Sequence, residues 1–254
     1  ASGAELKTAM ERLSSGKQIN SAADDAAGFA IAERMTAQIR GLNMAAKNAN
    51  DGLSMLATIE NATNDVTDML HRMRELAVQA VNDTNSGTDR SYLNNEVQSL
   101  ISEINRVSSD TEYNGAAVLN GDLSAAAFQV GTESGQTITF SVASVDAETL
   151  FAGVSVGVDT AENAESALST ITTAIETVAS NRATYGALQN RLEYTVSNLL
   201  NVAEFTTAAR SRIEDADFAA ESARLAKAQV LQQTGTAMLA QANASQQLAL
   251  SLFR

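Results

Sequence analysis

The sequence predicts a mainly α fold: an elongated, coiled-coil-like helical bundle (rod) with a small β-hairpin, plus a discontinuous terminal helix pair. Apolar residues recur at heptad spacing over two long stretches, the chain contains no proline, and aromatic residues make up only 4% of it. An interior proline costs a helix about 3 kcal/mol, so its absence suits very long helices. The scarcity of large aromatic side chains disfavours a thick globular core.

The first heptad stretch runs from Phe29 to Asn82 and predicts one helix roughly 80 Å long. Twelve of its 15 seam positions are apolar, and the exceptions are Gln38, Gly52 and Thr63. The polar segment 83–89, rich in Asn, Ser, Thr and Gly, predicts the loop that ends this helix. A second helix then carries an apolar seam from Leu93 to Val107, and a third heptad stretch runs from Ala164 to Ala203. Three narrow seams predict three helices packed side by side.

A short β region separates the second and third helices. Asn114-Gly115 and Asn120-Gly121 are turn dipeptides. The runs 127–130 and 137–142 flank a polar turn and predict a hairpin. The remainder, to about Asp159, predicts loop with a further short strand.

Both ends of the chain carry a helical interruption. Near the start, Gly16 occupies the usual position after a helix end, and Asp24 and Asp25 are candidate N-caps for the next helix. Near the other end, residues 211–217 interrupt the helix, and Asp215 or Asp217 can cap the last one. The sequence therefore predicts a terminal domain of residues 1–27 with 211–254. The rod domain comprises residues 28–210, with 114–160 as a hairpin or short variable region.

The last helix has no charged residue from Ala228 to Phe253. Its seven Gln and Asn side chains disfavour a membrane span, because each unsatisfied amide in hydrocarbon costs several kcal/mol. Apolar residues occupy more than one face of this helix, and such a helix is buried on more than one face. The chain is too small to supply that burial, so we expect it to come from other copies.

Composition excludes several functions. The net charge of −13 and the pI near 4.5 disfavour nucleic acid and anionic membrane surfaces as partners. The absence of cysteine excludes disulfides and thiolate chemistry. His71 is the single histidine, and no phosphate-binding glycine loop is present. The acidic pairs at 24–25 and 214–215 are better explained as caps than as cation sites. We expect no enzyme, no metal site and no cofactor.

Several ordered motifs resemble those of one protein family, the bacterial flagellins. They cover nearly the whole chain: Glu11-Arg-Leu-Ser-Ser-Gly16, Ile19-Asn-Ser-Ala22, Asp24-Asp-Ala-Ala-Gly28, Asn48-Ala-Asn-Asp-Gly52, Arg74-Glu-Leu-Ala-Val-Gln79, Phe128-Gln-Val-Gly131, Ala209-Arg-Ser-Arg-Ile-Glu-Asp215 and Leu250-Ser-Leu-Phe-Arg254. The family's variable outer domains are missing, which indicates a short form. A short segment that the family carries upstream of the position of Ala1, and that holds its export signal, is also absent from this sequence.

The resemblance implies an extracellular structural protein, the self-assembling subunit of the flagellar filament and hence of the motility propeller. Terminal helices of such subunits form an inner coiled-coil tube, and central helices form a surrounding rod layer. The implied partners are further copies of the chain, an export chaperone and cap proteins. Export through the flagellar secretion apparatus in an unfolded state fits the absence of cysteine. The candidate self-assembly residues are Leu6, Met10, Leu13, Leu225, Val230, Met238, Leu239, Leu248 and Leu252.

The resemblance also implies a host partner. Arg72, Leu76 and Glu96 fall where receptor-active flagellins carry the residues recognised by the vertebrate Toll-like flagellin receptor, and Gln79 lies one turn further along. The alternative is that Arg72 and Glu96 are ordinary surface charges, with Arg72 and Glu75 forming an i,i+3 pair.

Two other functions stay open from the sequence. A hook–filament junction protein shares the terminal helices but stops at a short ring, and the unbroken rod motifs argue against it. A cell-surface flagellin homologue that binds a glycan is the second. Such a site favours an aromatic platform, for which the middle region offers only Phe128, Phe140 and Phe151.

Overall fold

The computed structural model describes the backbone of residues 2–252 and the side chains of residues 3–244. Six helices and two pairs of short strands make up this part of the chain. The helices are α1 (Ser2–Ser15), α2 (Ala26–Val81), α3 (Gly87–Asp110), α4 (Ala147–Leu150), α5 (Ala161–Glu214) and α6 (Phe218–Leu252). The strands are β1 (Glu112–Tyr113), β2 (Ala116–Ala117), β3 (Ala126–Gln129) and β4 (Thr137–Phe140). The predicted mainly α class is thus confirmed.

The chain divides into two compact units. The central unit is Gly41–Asn201, and the terminal unit comprises the described residues before and after it. The two division points fall inside α2 and α5, further from the termini than the predicted domain boundaries at 27/28 and 210/211. The predicted boundaries divide the chain by function, into an inner-tube part and a rod part. The division into compact units does not test them, and they stay a prediction.

The core of the central unit is built from three long helices. Leu56, Ile59 and Leu70 of α2 are fully buried, together with Ile104 of α3 and Ile171 of α5, within one hydrophobic cluster. The heptad prediction is confirmed here, because the buried residues of α2 follow the predicted seam. Burial of each large apolar side chain contributes about 1.5–3 kcal/mol before entropy losses are counted.

The structure explains two of the three positions in the α2 seam that are not apolar. A Cβ placed on Gly52 would lie 2.9 Å from a ring carbon of Phe128, so the glycine admits this ring close to the helix backbone. Thr63 is fully buried, and its hydroxyl donates to the carbonyl of Ile59 at 2.8 Å. Neither position interrupts the helix, because each satisfies its own local packing or hydrogen bonding.

Two antiparallel strand pairs follow α3. Strands β1 and β2 are joined by Asn114-Gly115, both with positive φ, as expected for a two-residue hairpin turn. Strands β3 and β4 form the predicted hairpin, on which the rings of Phe128 and Phe140 stack with centroids 5.0 Å apart. Asn48 of α2 donates to the carbonyl of Gln129 at 3.1 Å and so holds this hairpin against the helix.

The segment after β4 differs from the prediction. The expected additional strand is absent from residues 141–160, and the short helix α4 lies there instead. Asp146 caps α4 by accepting from the backbone N–H of Thr149. Asn105 of α3 accepts from the backbone N–H of Ala147 at 2.9 Å, and Asn94 does the same for Val158 at 3.0 Å. Side-chain amides of α3 therefore replace strand pairing as the support of this segment.

Helix boundaries differ from the predicted ones by a few residues. Helix α3 begins at Gly87, inside the predicted loop 83–89, because Ser86 and Asp89 form a reciprocal capping box. Helix α5 continues to Glu214, so only residues 215–217 interrupt the helices near the C-terminal end. Gly16, with φ +72°, follows the end of α1 as predicted.

Candidate functional site

Helices α1 and α6 pack together in the terminal unit, as the sequence predicted. Their contact is centred on small residues, since Ala9 of α1 and Ala228 of α6 are both buried. Glu221 is buried between two arginines: it accepts from Arg12 at 3.2 Å and from Arg224 at 2.8 Å. The contact between α1 and α6 therefore combines a seam of small residues with a buried ion pair. The ion pair sets which turns of the two helices lie next to each other.

The Arg12–Glu221 pair was not predicted from the sequence. A signal for it exists, because Arg12 lies in the last turn of α1 and Glu221 in the first turn of α6. Those positions are the ones at which helix dipoles favour a cation and an anion respectively. Only the fold shows that the two oppositely charged helix ends meet.

The interruptions beside these helices are hydrogen-bonded to each other. Gln18 donates its backbone N–H to the carbonyl of Glu214 at 2.7 Å, and Ala216 donates to the carbonyl of Gly16 at 2.9 Å. Lys17 adds a salt bridge to Glu214. We call this pairing of residues 16–18 with 214–216 the terminal joint. Backbone groups at a helix end have no partner within the helix, and the terminal joint supplies hydrogen-bond partners for such groups at the ends of α1 and α5.

The acidic residues near the interruptions act as caps. Asp25 accepts from the backbone N–H groups of Ala27 and Gly28 at the start of α2. Asp217 accepts from those of Ala219 and Ala220 and so caps α6. Backbone donors from Ser21 and Asn20 hold the pKa of Asp24 below its usual value. Within the described residues, no group of His, Asp and Glu side chains is arranged to hold a metal ion.

Helix α6 is exposed from Gln229 to Ala244, the last residue whose side chain is described. The exposed residues include Val230, Leu231, Met238 and Leu239. Among the described residues, no helix is both long enough and apolar enough to cross a bilayer. Residues 229–244 are therefore sixteen consecutive exposed residues without a charge, in a chain whose formal net charge is −13.

The predicted self-assembly residues fall into three groups. Leu6, Leu13 and Leu225 are half-buried. Met10, Val230, Met238 and Leu239 are exposed. The side chains of Leu248 and Leu252 lie outside the described residues. Phe218, exposed at the first position of α6, and Leu231 were missing from the predicted set. A count of apolar residues on α6 would have included both.

The predicted receptor residues lie on α2 and α3 of the central unit. Arg72 donates through Nε to Glu96 at 2.8 Å and through Nη1 to Glu75 at 3.0 Å. The bond to Glu96 is the main reason that the pKa of Arg72 is raised. The structure thus brings Arg72 and Glu96 together on an exposed surface. Both are also paired surface charges, as the alternative interpretation expected.

The other two predicted receptor residues differ from each other. Gln79 is exposed on α2, whereas Leu76 is 1% exposed and belongs to the hydrophobic core. A buried leucine offers almost no surface for direct contact. Any part it has in recognition would therefore act through the position of the α2 backbone.

A mainly α chain whose last helix is exposed and uncharged from Gln229 to Ala244 has the features of a fibre-forming structural subunit. The sequence pattern of the bacterial flagellin N-terminal helical region matches residues 1–124, and that of the C-terminal helical region matches residues 168–253. A flagellin of Halalkalibacterium halodurans is 43% identical over 247 residues, covering 97% of this chain and 91% of that protein. The flagellar filament 33 kDa core protein of Treponema phagedenis is 41% identical, covering 96% and 91%. The chain therefore belongs to the bacterial flagellin family.

Solved structures agree with this assignment. The crystal structure of Bacillus cereus flagellin has a TM-score of 0.54 and 29% identity, covering 60% of this chain and 88% of that one. A flagellar hook-associated protein of Vibrio parahaemolyticus has a TM-score of 0.65 over 76% of this chain and 100% of its own. At 14% identity, this similarity shows only that the two chains share a fold. Both the predicted family and the predicted role as a structural filament subunit are confirmed, and the hook–filament junction function is not favoured.

Proposed function

We propose that this chain polymerises into the flagellar filament through α1 and the uncharged length of α6, with other copies covering the exposed residues 229–244. The observation that carries the proposal is that apolar side chains such as Met238 and Leu239 are exposed in the single chain. Exposed contiguous apolar surface is typical of interaction sites. Contacts that join different surfaces of successive copies, and do not close into a ring, generate a helical polymer.

Charge favours other copies as the occupant of this surface. The run from Ala228 to Phe253 has no charge, so identical helices can approach one another without like-charge repulsion. Its glutamines and asparagines can pair between copies or face water. Export through the flagellar secretion apparatus, with a chaperone before assembly and a cap protein at the growing end, belongs to the same proposal.

Electron microscopy of the purified full-length protein, added to sheared filament seeds, tests polymerisation. Long filaments growing from the seeds are the expected result. Folded monomers that never elongate the seeds would contradict the proposal and favour a junction protein or a glycan-binding surface protein. Binding to immobilised polysaccharides, measured on the same preparation, would separate those two.

Recognition by the vertebrate Toll-like flagellin receptor is a second proposed function. It rests on the family resemblance at Arg72, Leu76, Gln79 and Glu96. It also rests on the exposed Arg72–Glu96 pair and on the exposure of Gln79 on the same helix as Arg72. Arginine and exposed amide groups supply directed hydrogen bonds to a partner surface. The family resemblance implies that the rod helices also make contacts within the filament, so the free monomer is the form expected to bind.

A receptor reporter assay on monomers tests this second function. Arg72→Ala and Glu96→Ala should each lower potency several-fold, because each removes a charged group from the candidate contact. Arg106→Ala is the matched control, since Arg106 is also an exposed, glutamate-paired arginine of the central unit. Unchanged potency in both variants, or an equal loss in the control, would contradict a specific role for Arg72 and Glu96.

A further inference from the structure

The seven methionines of the chain differ widely in exposure. Met73 is completely buried in the central core and Met55 is nearly so. By contrast, Met10 of α1 is 55% exposed, Met44 of α2 is 54% exposed and Met238 of α6 is 72% exposed. Three methionine side chains are therefore more than half exposed to a soluble oxidant in the single chain, and two of them, Met10 and Met238, belong to the terminal unit.

We propose that Met238 and Met10 form an oxidation-sensitive site at which sulfoxide formation blocks addition of the subunit to a filament. This inference rests on the proposed self-assembly through α1 and α6. Met238 lies in the middle of the exposed run 229–244, and Met10 lies among the candidate assembly residues of α1. Oxidation at either position changes the surface that other copies would cover.

The chemistry requires only a peroxide as the co-reactant. The thioether sulfur attacks one oxygen of hydrogen peroxide, the O–O bond breaks, and water leaves. Sulfur is oxidised by two electrons, and the peroxide is reduced. The product is a polar, chiral sulfoxide in place of a flexible apolar side chain, and such a group disrupts methionine-containing interfaces.

Sulfoxide formation should have little effect on the folded monomer. The oxygen added at Met238 or Met10 would face water in the single chain, because both side chains are more than half exposed. In the polymer the same oxygen would lose its water contacts when another copy covers it. The penalty therefore falls on assembly and leaves the fold of the subunit intact.

Peroxide treatment followed by seeded growth tests the inference. Monomer is treated with hydrogen peroxide, peptide mass mapping locates the sulfoxides, and elongation of sheared seeds is measured by electron microscopy. We expect sulfoxide at Met10, Met44 and Met238 but not at Met73, and a several-fold slower elongation with an unchanged circular dichroism spectrum. Methionine sulfoxide reductases of both epimer specificities, with dithiothreitol, should restore elongation.

Leucine variants assign the effect to particular residues. Each leucine variant is compared with its own untreated sample, because Met10 and Met238 belong to the candidate assembly surface and their replacement alone can change the rate. The Met10→Leu, Met238→Leu double variant should keep most of its own untreated rate after peroxide. Met44→Leu is the matched control and should be as sensitive as the unaltered protein. Oxidised protein that elongates at the untreated rate, or equal inhibition of the double variant and the control, would overturn the inference. Untreated protein that fails to elongate would instead contradict the proposed self-assembly, and the oxidation site with it.

Discussion

The terminal unit and the central unit distribute charge and apolar surface in opposite ways. The sequence before Gly41 and after Asn201 carries ten Lys or Arg and ten Asp or Glu, so it is formally neutral. The central unit carries seven and twenty, and thereby the whole formal charge of −13. Its large apolar residues are mostly buried, whereas those of α6 up to Ala244 are exposed, apart from the half-buried Leu225. One unit is thus suited to fold by itself, and the other to be completed by copies.

The difference between the units has an energetic meaning. Folding of a single chain buries the apolar side chains of its own core and gains the corresponding free energy. The exposed part of α6 gains such free energy only on association. Self-repulsion of a highly charged surface keeps a monomer soluble until specific contacts overcome it. Stability of the central unit and assembly through the terminal unit should therefore respond to different substitutions.

Deletion of residues 229–254 should separate the two properties most strongly. We expect filament growth to be abolished, because the truncation removes the uncovered surface of α6. The central unit should unfold at the same denaturant midpoint as in the full chain, since its core contains none of the α6 side chains that the structure describes. Seeded electron microscopy and circular dichroism measure the two properties. Elongation by the truncated chain would contradict the comparison.

A pair of leucine substitutions tests the same contrast with single residues. Leu56 is completely buried, so Leu56→Ala should lower the free energy of unfolding by about 2–5 kcal/mol. Leu239 is 66% exposed, so Leu239→Ala should change it by less than about 0.5 kcal/mol. Seeded growth should nevertheless slow in Leu239→Ala. A large loss of monomer stability in that variant would show that α6 is already covered within one chain.

A pair of glycine substitutions tests packing in each unit. Gly52→Ala should destabilise the central unit by about 1–3 kcal/mol, because the added Cβ overlaps the ring of Phe128. Gly235→Ala meets no atom within 4 Å and should stabilise α6 of the monomer by about 0.5–1 kcal/mol. Urea denaturation and monomer helicity are the measurements. A filament-growth defect in Gly235→Ala would indicate that a neighbouring copy approaches this turn closely.

Acid sensitivity should be shared by both units and is the smallest expected effect. Ser86 lowers the pKa of Asp89 in the α3 capping box, and Ser21 and Asn20 lower that of Asp24. A carboxylate whose pKa is lower when folded contributes stability above its ordinary pKa of 3.8, and this is lost as pH falls through the lowered value. Asp24→Asn and Asp89→Asn should therefore reduce the melting temperature at neutral pH and flatten its fall in acid. Equal acid sensitivity with and without these carboxylates would contradict the assignment.

The long helices could be predicted because their periodicity is strong. The α2 seam is apolar at 12 of 15 positions, and no proline interrupts it. The role of Gly52 could not be predicted, since it depends on a ring 76 residues further along the chain, that of Phe128. Helix α4 escaped prediction because four residues have no measurable period and its support comes from Asn105.

The sequence predicted some features of the candidate sites and not others. Motif resemblance located Arg72, Leu76 and Glu96 but gave no information on exposure, and the fold shows that Leu76 is buried. The absence of charge near the end of α6 could be predicted from the sequence of residue types alone. The Arg12–Glu221 pair joins residues 209 positions apart and could be found only once the two helices were placed together.

The terminal joint also sets an order of events in folding. It connects Lys17 with Glu214, which are 197 residues apart, and the side chain of Gln18 next to it donates to the carbonyl of Ile213, 195 residues away. Closing so long a loop is slow and entropically costly until the chain between has become compact. A newly synthesised chain should therefore complete its central unit first and close the joint last. The subunit would acquire its paired ends only when nearly all of it has emerged, which delays the assembly-competent state until the chain is complete.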